Sequence, residues 1–211
     1  MRRVGIFGGT FDPPHRGHVA VAEACLAQAW LDEIWWIPNR QSPHKLLQHT
    51  ASPTHRLALL NASLEDATPS LRSASTILTI ELERPPPSYM LDTVKALQAE
   101  YNPPQREATA FFLILGTDQI VQFHRWHGAS ELLERVTLVG YHRAIGTETR
   151  TTSHRLAEGL RQDKLIWVDA PEIDVSSTAI REAARENRPI DHLVSPSVGR
   201  YISQHHLYVT P

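Results

Sequence analysis

Two histidines three residues apart, His15 and His18, follow a glycine pair, Gly8 and Gly9, in one short stretch of chain. Imidazole is a hydrogen-bond donor that can carry charge near neutral pH. Where a helix begins at such a pair, both rings share one helical face. The free N–H groups and the positive end of the helix dipole add donors at the same spot. Glycines allow a ligand to come close to the backbone. This combination points to a seat for phosphate oxygens. The spacing leaves two alternatives open, a metal pair or two surface residues at a helix start. Zinc needs at least a third protein ligand, and no cysteine or nearby carboxylate stands at the usual spacing, so no metal site is expected. The stretch lacks both G-x-G-x-x-G and G-x-x-x-x-G-K-[ST].

A second cluster of the same chemistry lies far along the chain. Ser176, Ser177 and Thr178 precede Arg181 in a segment that reads as a helix start. Hydroxyls and first-turn N–H groups satisfy anionic oxygens, and the guanidinium is a fixed cationic fork. The alternative is a serine N-cap with a surface arginine. Lys45, after His44, is by itself a solvated charge. Asp118, after Gly116, is by itself a helix cap, and Trp126 with His127 reads as core and surface. Cys25 is the only cysteine and falls at an apolar helical position, so a buried, inert thiol is expected.

The elements that must carry these groups alternate strand and helix, which argues for an α/β fold with a mainly parallel sheet. Strands are predicted at 3–7, 34–37, 77–82, 111–115, 136–139 and 164–168. Helices are predicted at 19–30, from Pro53 through Leu64, and at 89–100, 177–186 and 198–205. Residues 8–14 form a loop punctuated by glycines and prolines, and residues 39–51 form a polar loop.

The bulk numbers set limits on function. A chain of 211 residues is long enough for a real core, and no repeat or linker breaks it, so residues 1–211 are expected to form one domain. A formal net charge of −2 disfavours a nucleic-acid partner. No apolar run approaches the roughly 18 residues needed for a bilayer, so no membrane partner is expected. The apolar stretch after Met1-Arg2-Arg3 is too short for a signal peptide, and a cytoplasmic location is expected.

Residues 8–18, Gly-Gly-Thr-Phe-Asp-Pro-Pro-His-Arg-Gly-His, resemble the G-G-T-F-D-P-x-H-x-G-H signature of the nucleotidyltransferase superfamily with the H-x-G-H motif. Further matches follow in order. They are Pro43-His44-Lys45, Glu81 to Arg84 leading to Ser88-Tyr89 and Asp92-Thr93, Gly116-Thr117-Asp118, Trp126, residues 176–181, and Leu193 to Pro196 with Tyr201 and Leu207-Tyr208. Taken together they are similar to bacterial nicotinate-nucleotide adenylyltransferases over essentially the whole chain. The chain departs from that pattern with Met90 in place of a common threonine and with Arg143-Ala144-Ile145 in place of R-P-G.

The resemblance implies an open, mainly parallel Rossmann-like nucleotide-binding sheet with helices on both faces. It implies transfer of AMP from ATP to nicotinate mononucleotide, giving deamido-NAD and pyrophosphate, with Mg²⁺ delivered on the ATP. His15, His18, Lys45 and Arg181 are then the catalytic groups. Gly8, Gly9, Thr10, Phe11, Gly116, Asp118, Ser176, Ser177 and Thr178 hold ATP. Ser88, Tyr89, Met90, Trp126 and His127 hold nicotinate mononucleotide. Within the same superfamily, nicotinamide mononucleotide or phosphopantetheine is the competing acceptor. The Ser88-to-Thr93 stretch and Pro43-His44-Lys45 disfavour the latter. A non-catalytic nucleotide sensor is a different class, and intact His15 and His18 speak against it.

Overall fold

The computed structural model describes residues 1–40, 51–102, 108–141, 162–171 and 173–209. Among them, β1 (Arg2–Gly9), β2 (Glu33–Pro38), β3 (Ser75–Ile77), β4 (Thr109–Gly116), β5 (Thr137–Tyr141) and β6 (Leu165–Val168) form one sheet. Its order is β3-β2-β1-β4-β5-β6, and every pairing is parallel. Strands covered on both faces read as continuous apolar runs. The pleat sorts their side chains alternately. Phe7, Ile34, Trp36, Phe112, Ile114 and Val139 join one core cluster. Val4, Ile6, Trp35, Ile37, Leu113 and Leu138 join the other.

Helices cover both faces, as expected. On one side α1 (Arg16–Gln28) buries Val21, Ala22 and Cys25 with Leu60 and Leu64 of α2 (Pro53–Glu65) and Leu71 of the short α3 (Pro69–Ser73). On the other side α5 (Met90–Tyr101) buries Leu91, Val94 and Leu97, and α7 (Ala129–Arg135) buries Leu132. A third cluster joins Leu59 of α2 to Ile180 of α8 (Ser177–Arg185) and to Val198 and Ile202 of α9 (Pro196–Gln204). Two further short helices, α4 (Ile80–Glu83) and α6 (Thr117–Gln122), complete the set among the described residues. No helix there is long and apolar enough to cross a membrane.

The expected third strand, 77–82, is a correction. Pairing with β2 stops at Ile77, one more bond follows from Leu78 N–H to the Trp36 carbonyl at 2.9 Å, and the chain then coils into α4. Helix α1 starts three residues earlier than the apolar periodicity indicates, at Arg16 rather than Val19, because the His15–His18 pair itself caps it. It ends at Gln28, and Trp30 turns the chain towards β2 with φ of 47°.

Candidate active site

In a doubly wound sheet, ligands bind beyond the carboxyl ends of the strands where the strand order reverses. Here that point lies between β1 and β4. Gly8 and Gly9 end β1, and Gly116 ends β4. Thr117 and Asp118 begin α6, with Thr117 Oγ1 donating to the Tyr141 carbonyl at 3.0 Å and Asp118 exposed. Asp118 thus lies in the first turn of a helix at the sheet's carboxyl edge, with Gly116 rather than Asp118 as the N-cap.

The turn after β1 is built around Phe11. Its φ of 51° is unusual for a bulky residue, and its ring is buried under Gly9, where a Cβ would come within 3.0 Å of it. Thr10 lends its carbonyl to Arg56 Nη1 at 2.9 Å. His15 then serves as N-cap with an extended backbone, so the two rings do not share a helical face as the spacing suggested. Instead the His15 N–H donates to His18 Nδ1 at 3.1 Å, and the rings stack with centroids 3.7 Å apart at 31°. Phe11 and Phe7 brace the His18 ring, at 5.2 and 5.9 Å between centroids. Because Nδ1 accepts, the neutral ring carries its proton on Nε2, which is a donor.

Helix α8 is fastened directly to this turn. Arg181 Nη1 donates to the Asp12 carbonyl at 2.8 Å, and Ser177 Oγ donates to the Pro13 carbonyl at 2.9 Å. Arg16 Nε reaches back to the Val194 carbonyl at 3.1 Å. Two motifs more than 160 residues apart thereby meet. Each hydroxyl of the second motif has work within the fold. Ser176 Oγ caps α8 by accepting from Ala179 N–H at 3.1 Å, and Thr178 Oγ1 accepts from Arg181 Nη2 at 3.2 Å. The serine N-cap reading of this segment is therefore what the structure displays.

The third group of predicted residues includes a contact with the end of β1, through Met90 and Gly8. Met90 opens α5, so its main-chain N–H is one of the first-turn donors that a helix leaves without an intrahelical partner. A Cβ on Gly8 would lie 2.8 Å from Met90 Cε, so the end of the methionine side chain comes close to this glycine. Tyr89 faces His127 with ring centroids 4.5 Å apart. Trp126 is half-buried against Phe123 at 5.6 Å, and Gly128, with φ of 63°, turns the chain into α7. Lys45, with His44, lies outside the described residues.

The comparisons with known proteins agree with this geometry. Residues 6–183 match the cytidylyltransferase-like family. The probable nicotinate-nucleotide adenylyltransferase of Bacillus pumilus is 39% identical over 208 residues, covering 99% of each chain. The nicotinate-nucleotide adenylyltransferase of Bacillus subtilis is 36% identical over 208 residues, again 99% of each. The chain belongs to the nicotinate-nucleotide adenylyltransferase family. The fold of this family member also matches a Plasmodium falciparum nicotinic acid mononucleotide adenylyltransferase complexed with NaAD. The TM-score is 0.78 at 18% identity, over 99% of this chain and 98% of that one.

In this adenylyltransferase-family chain the structure brings forward polar residues that had no assigned role in the sequence reading. Asp12, 1% exposed, accepts from Tyr208 Oη at 2.8 Å and from Ala51 N–H at 3.1 Å. Burial pulls the Arg56 guanidinium below its ordinary value, with the Asp12 carboxylate opposing that, and pushes the Tyr208 phenol up. Behind Ser88 and Met90, Thr93 Oγ1 donates to Glu81 Oε1 at 2.6 Å, and Arg84 donates to Thr93. Burial raises the Glu81 carboxyl above the usual range, against the hydrogen bond from Thr93. A carboxylate within the apolar run 77–82 was the signal available for Glu81; Asp12, Arg56 and Tyr208 meet only through the fold.

Proposed function

We propose that this chain joins the adenylyl group of ATP to nicotinate mononucleotide, releasing pyrophosphate and forming deamido-NAD. The observation that carries the reading is the meeting of the β1–α1 turn with the start of α8 through Arg181–Asp12 and Ser177–Pro13, at the point where strand order reverses. Two sets of groups suited to phosphate oxygens, His15 and His18 on one element and Arg181 on the other, are thereby carried by segments fastened to each other. The names of the relatives supply the acceptor.

A phosphate oxygen of nicotinate mononucleotide attacks the α-phosphorus of ATP in line. The bond from that phosphorus to the bridging oxygen breaks, and pyrophosphate leaves with the electron pair. The attacking group is already an anion, so no enzyme nucleophile is required. The protein's contribution is positioning and charge stabilisation. Gly8 to Phe11, Gly116, Asp118 and the first turn of α8 bind ATP. His18 Nε2–H, His15, Lys45 and Arg181 meet the charge that grows on the phosphates. Mg²⁺ belongs to the substrate, as MgATP keeping most of its waters.

The acceptor's ring lies between the start of α5 and Trp126. Its carboxylate needs donors at both oxygens, which the main-chain N–H groups of Met90 and His127 supply irrespective of the side chain at 90. A carboxamide would turn its NH₂ towards one of these donors, and such mispairing is a strong source of discrimination. The test is to incubate the protein with MgATP and nicotinate mononucleotide and to identify the products by mass. Deamido-NAD and pyrophosphate in equal amounts are expected. Pyrophosphate only with a different acceptor, or no release with any, would refute the reading.

A further inference from the structure

Tyr208 has a backbone conformation that invites an explanation. Helix α9 ends in a Schellman arrangement, with His206 N–H donating to the Ser203 carbonyl at 3.3 Å and Leu207 N–H to the Ile202 carbonyl at 3.0 Å. His206 takes the left-handed conformation that this motif requires, φ 49°. Tyr208 then adopts φ of 67°, a second left-handed residue that no helix cap demands. A bulky side chain holds such a conformation only where its surroundings dictate it, and such strain concentrates at functional sites. What the bend achieves is visible. It directs the Tyr208 hydroxyl into the interior, 2.8 Å from Asp12 Oδ1.

Asp12 is the junction of the site. Its carbonyl accepts from Arg181, the next carbonyl, of Pro13, accepts from Ser177, and the same segment leads to the His15 cap. Its carboxylate is buried. Oδ1 takes the Tyr208 hydroxyl and the Ala51 N–H, while Oδ2 has no hydrogen-bond partner among the described residues. Arg56, 2% exposed, supplies the nearby positive charge and is itself tied to the Thr10 carbonyl. The Tyr208 hydroxyl is thus one of two donors that fix the orientation of a buried charge beneath the turn.

We propose that Tyr208 is a positioning residue for adenylyl transfer: through Asp12 it fixes the β1–α1 turn against α8, and so sets the distance between the His15–His18 pair and Arg181. This rests on the adenylyl-transfer reading above. Transition-state stabilisation between two separately carried sets of donors is sensitive to misplacements well below the size of an atom. Loss of a fastening hydrogen bond here therefore appears in turnover rather than in acceptor binding.

The variant is Tyr208→Phe, which keeps the ring and removes only the hydroxyl. Steady-state kinetics should show kcat falling about tenfold, with KM for nicotinate mononucleotide within about twofold. In an Arg181→Lys background, whose side chain cannot reproduce the seated fork, the same substitution should change kcat by less than about twofold, because coupled residues are not additive. Calorimetry with a non-hydrolysable ATP analogue, which needs no acceptor, should show about threefold weaker binding in Tyr208→Phe. A kcat within twofold of the unsubstituted protein, an equal loss in both backgrounds, or unchanged analogue affinity would each overturn the proposal, whatever happens to thermal stability. If the unsubstituted protein makes no deamido-NAD, the adenylyl-transfer reading fails separately, and analogue binding still decides the fastening role of Tyr208.

Discussion

Replacing His18 with alanine separates the two things this residue does. In the fold its Nδ1 accepts the His15 N–H at 3.1 Å, and its ring packs on Phe11, Phe7 and His15. Losing the cap costs about 1 kcal/mol of stability, and losing the aromatic contacts costs about 0.5–1.5 kcal/mol more. For a protein of this size, each kcal/mol lowers the melting temperature by roughly 2–4 °C. Since stabilities run to about 5–15 kcal/mol, His18→Ala remains folded at 25 °C. Its loss of activity is thus a loss at the site. A donor directed at charge that develops only in the transition state is worth about 2.7–4 kcal/mol, so kcat should fall about 10²–10³-fold while both KM values change little. His18→Gln is the control, because glutamine at this helix position can also accept from the N-cap N–H. It should recover the share of the melting temperature owed to the cap, but not the share owed to the ring contacts, and should not restore turnover. The assay is steady-state pyrophosphate release alongside thermal unfolding. A kcat for His18→Ala within threefold of the unsubstituted protein, or full recovery of kcat in His18→Gln, would refute the assignment.

Other outcomes follow from the same geometry. Arg181→Ala should raise the apparent KM for ATP by about tenfold or more, the worth of a charge-assisted hydrogen bond, with a smaller loss in kcat; unchanged ATP dependence would refute its part in binding ATP. Trp126→Ala should weaken nicotinate mononucleotide by about 1–3 kcal/mol, the range for stacking on bases, with ATP binding near normal; an equal loss for both substrates would point to collapse of the Phe123 contact instead. Cys25, fully buried with its thiol pushed up to about 12, should resist a thiol reagent at neutral pH in the native protein and react on unfolding; rapid labelling of the native protein would contradict the burial. Burial raises the Glu81 carboxyl, so the native state holds its proton longer than the unfolded chain. This group's contribution therefore lowers stability as pH rises from the ordinary value of about 4.3 through the raised native one. Glu81→Gln should remove that fall in chemical-denaturation curves taken across the window, and an unchanged slope would refute it.

Much of the fold is legible because long strands buried on both faces leave uninterrupted apolar runs. The β4 sequence, Thr109–Gly116, could not be mistaken for a surface element. Short elements escape for the converse reason. Helices α3, α6 and α7 span two turns or fewer and show no periodicity, although Thr68 before Pro69 carried a cap signal that the structure uses, Thr68 Oγ1 accepting from Leu71 N–H. The Ile77–Leu82 stretch is β-branched and apolar enough to resemble a strand. In the structure this stretch leaves the sheet after Ile77 and coils into α4, where Glu81 is buried and bonded to Thr93. At the proposed site, residue type and spacing near helix starts single out His15, His18 and Arg181, but leave a metal pair or surface residues as alternatives. Their fastening is not legible there, because Arg181–Asp12 and Tyr208–Asp12 join residues that are neighbours only after folding.

The central claim is that this crevice transfers AMP to the acid form of the pyridine mononucleotide. Its most direct test is a competition between nicotinate and nicotinamide mononucleotides for the unsubstituted protein with MgATP, read as the ratio of deamido-NAD to NAD formed. That ratio gives the relative kcat/KM values. Main-chain donors at Met90 and His127 lead to a large excess of deamido-NAD, at least about tenfold, the cost of leaving a polar group mispaired. Equal amounts of the two products would contradict the account of the acceptor site and leave adenylyl transfer without its specificity.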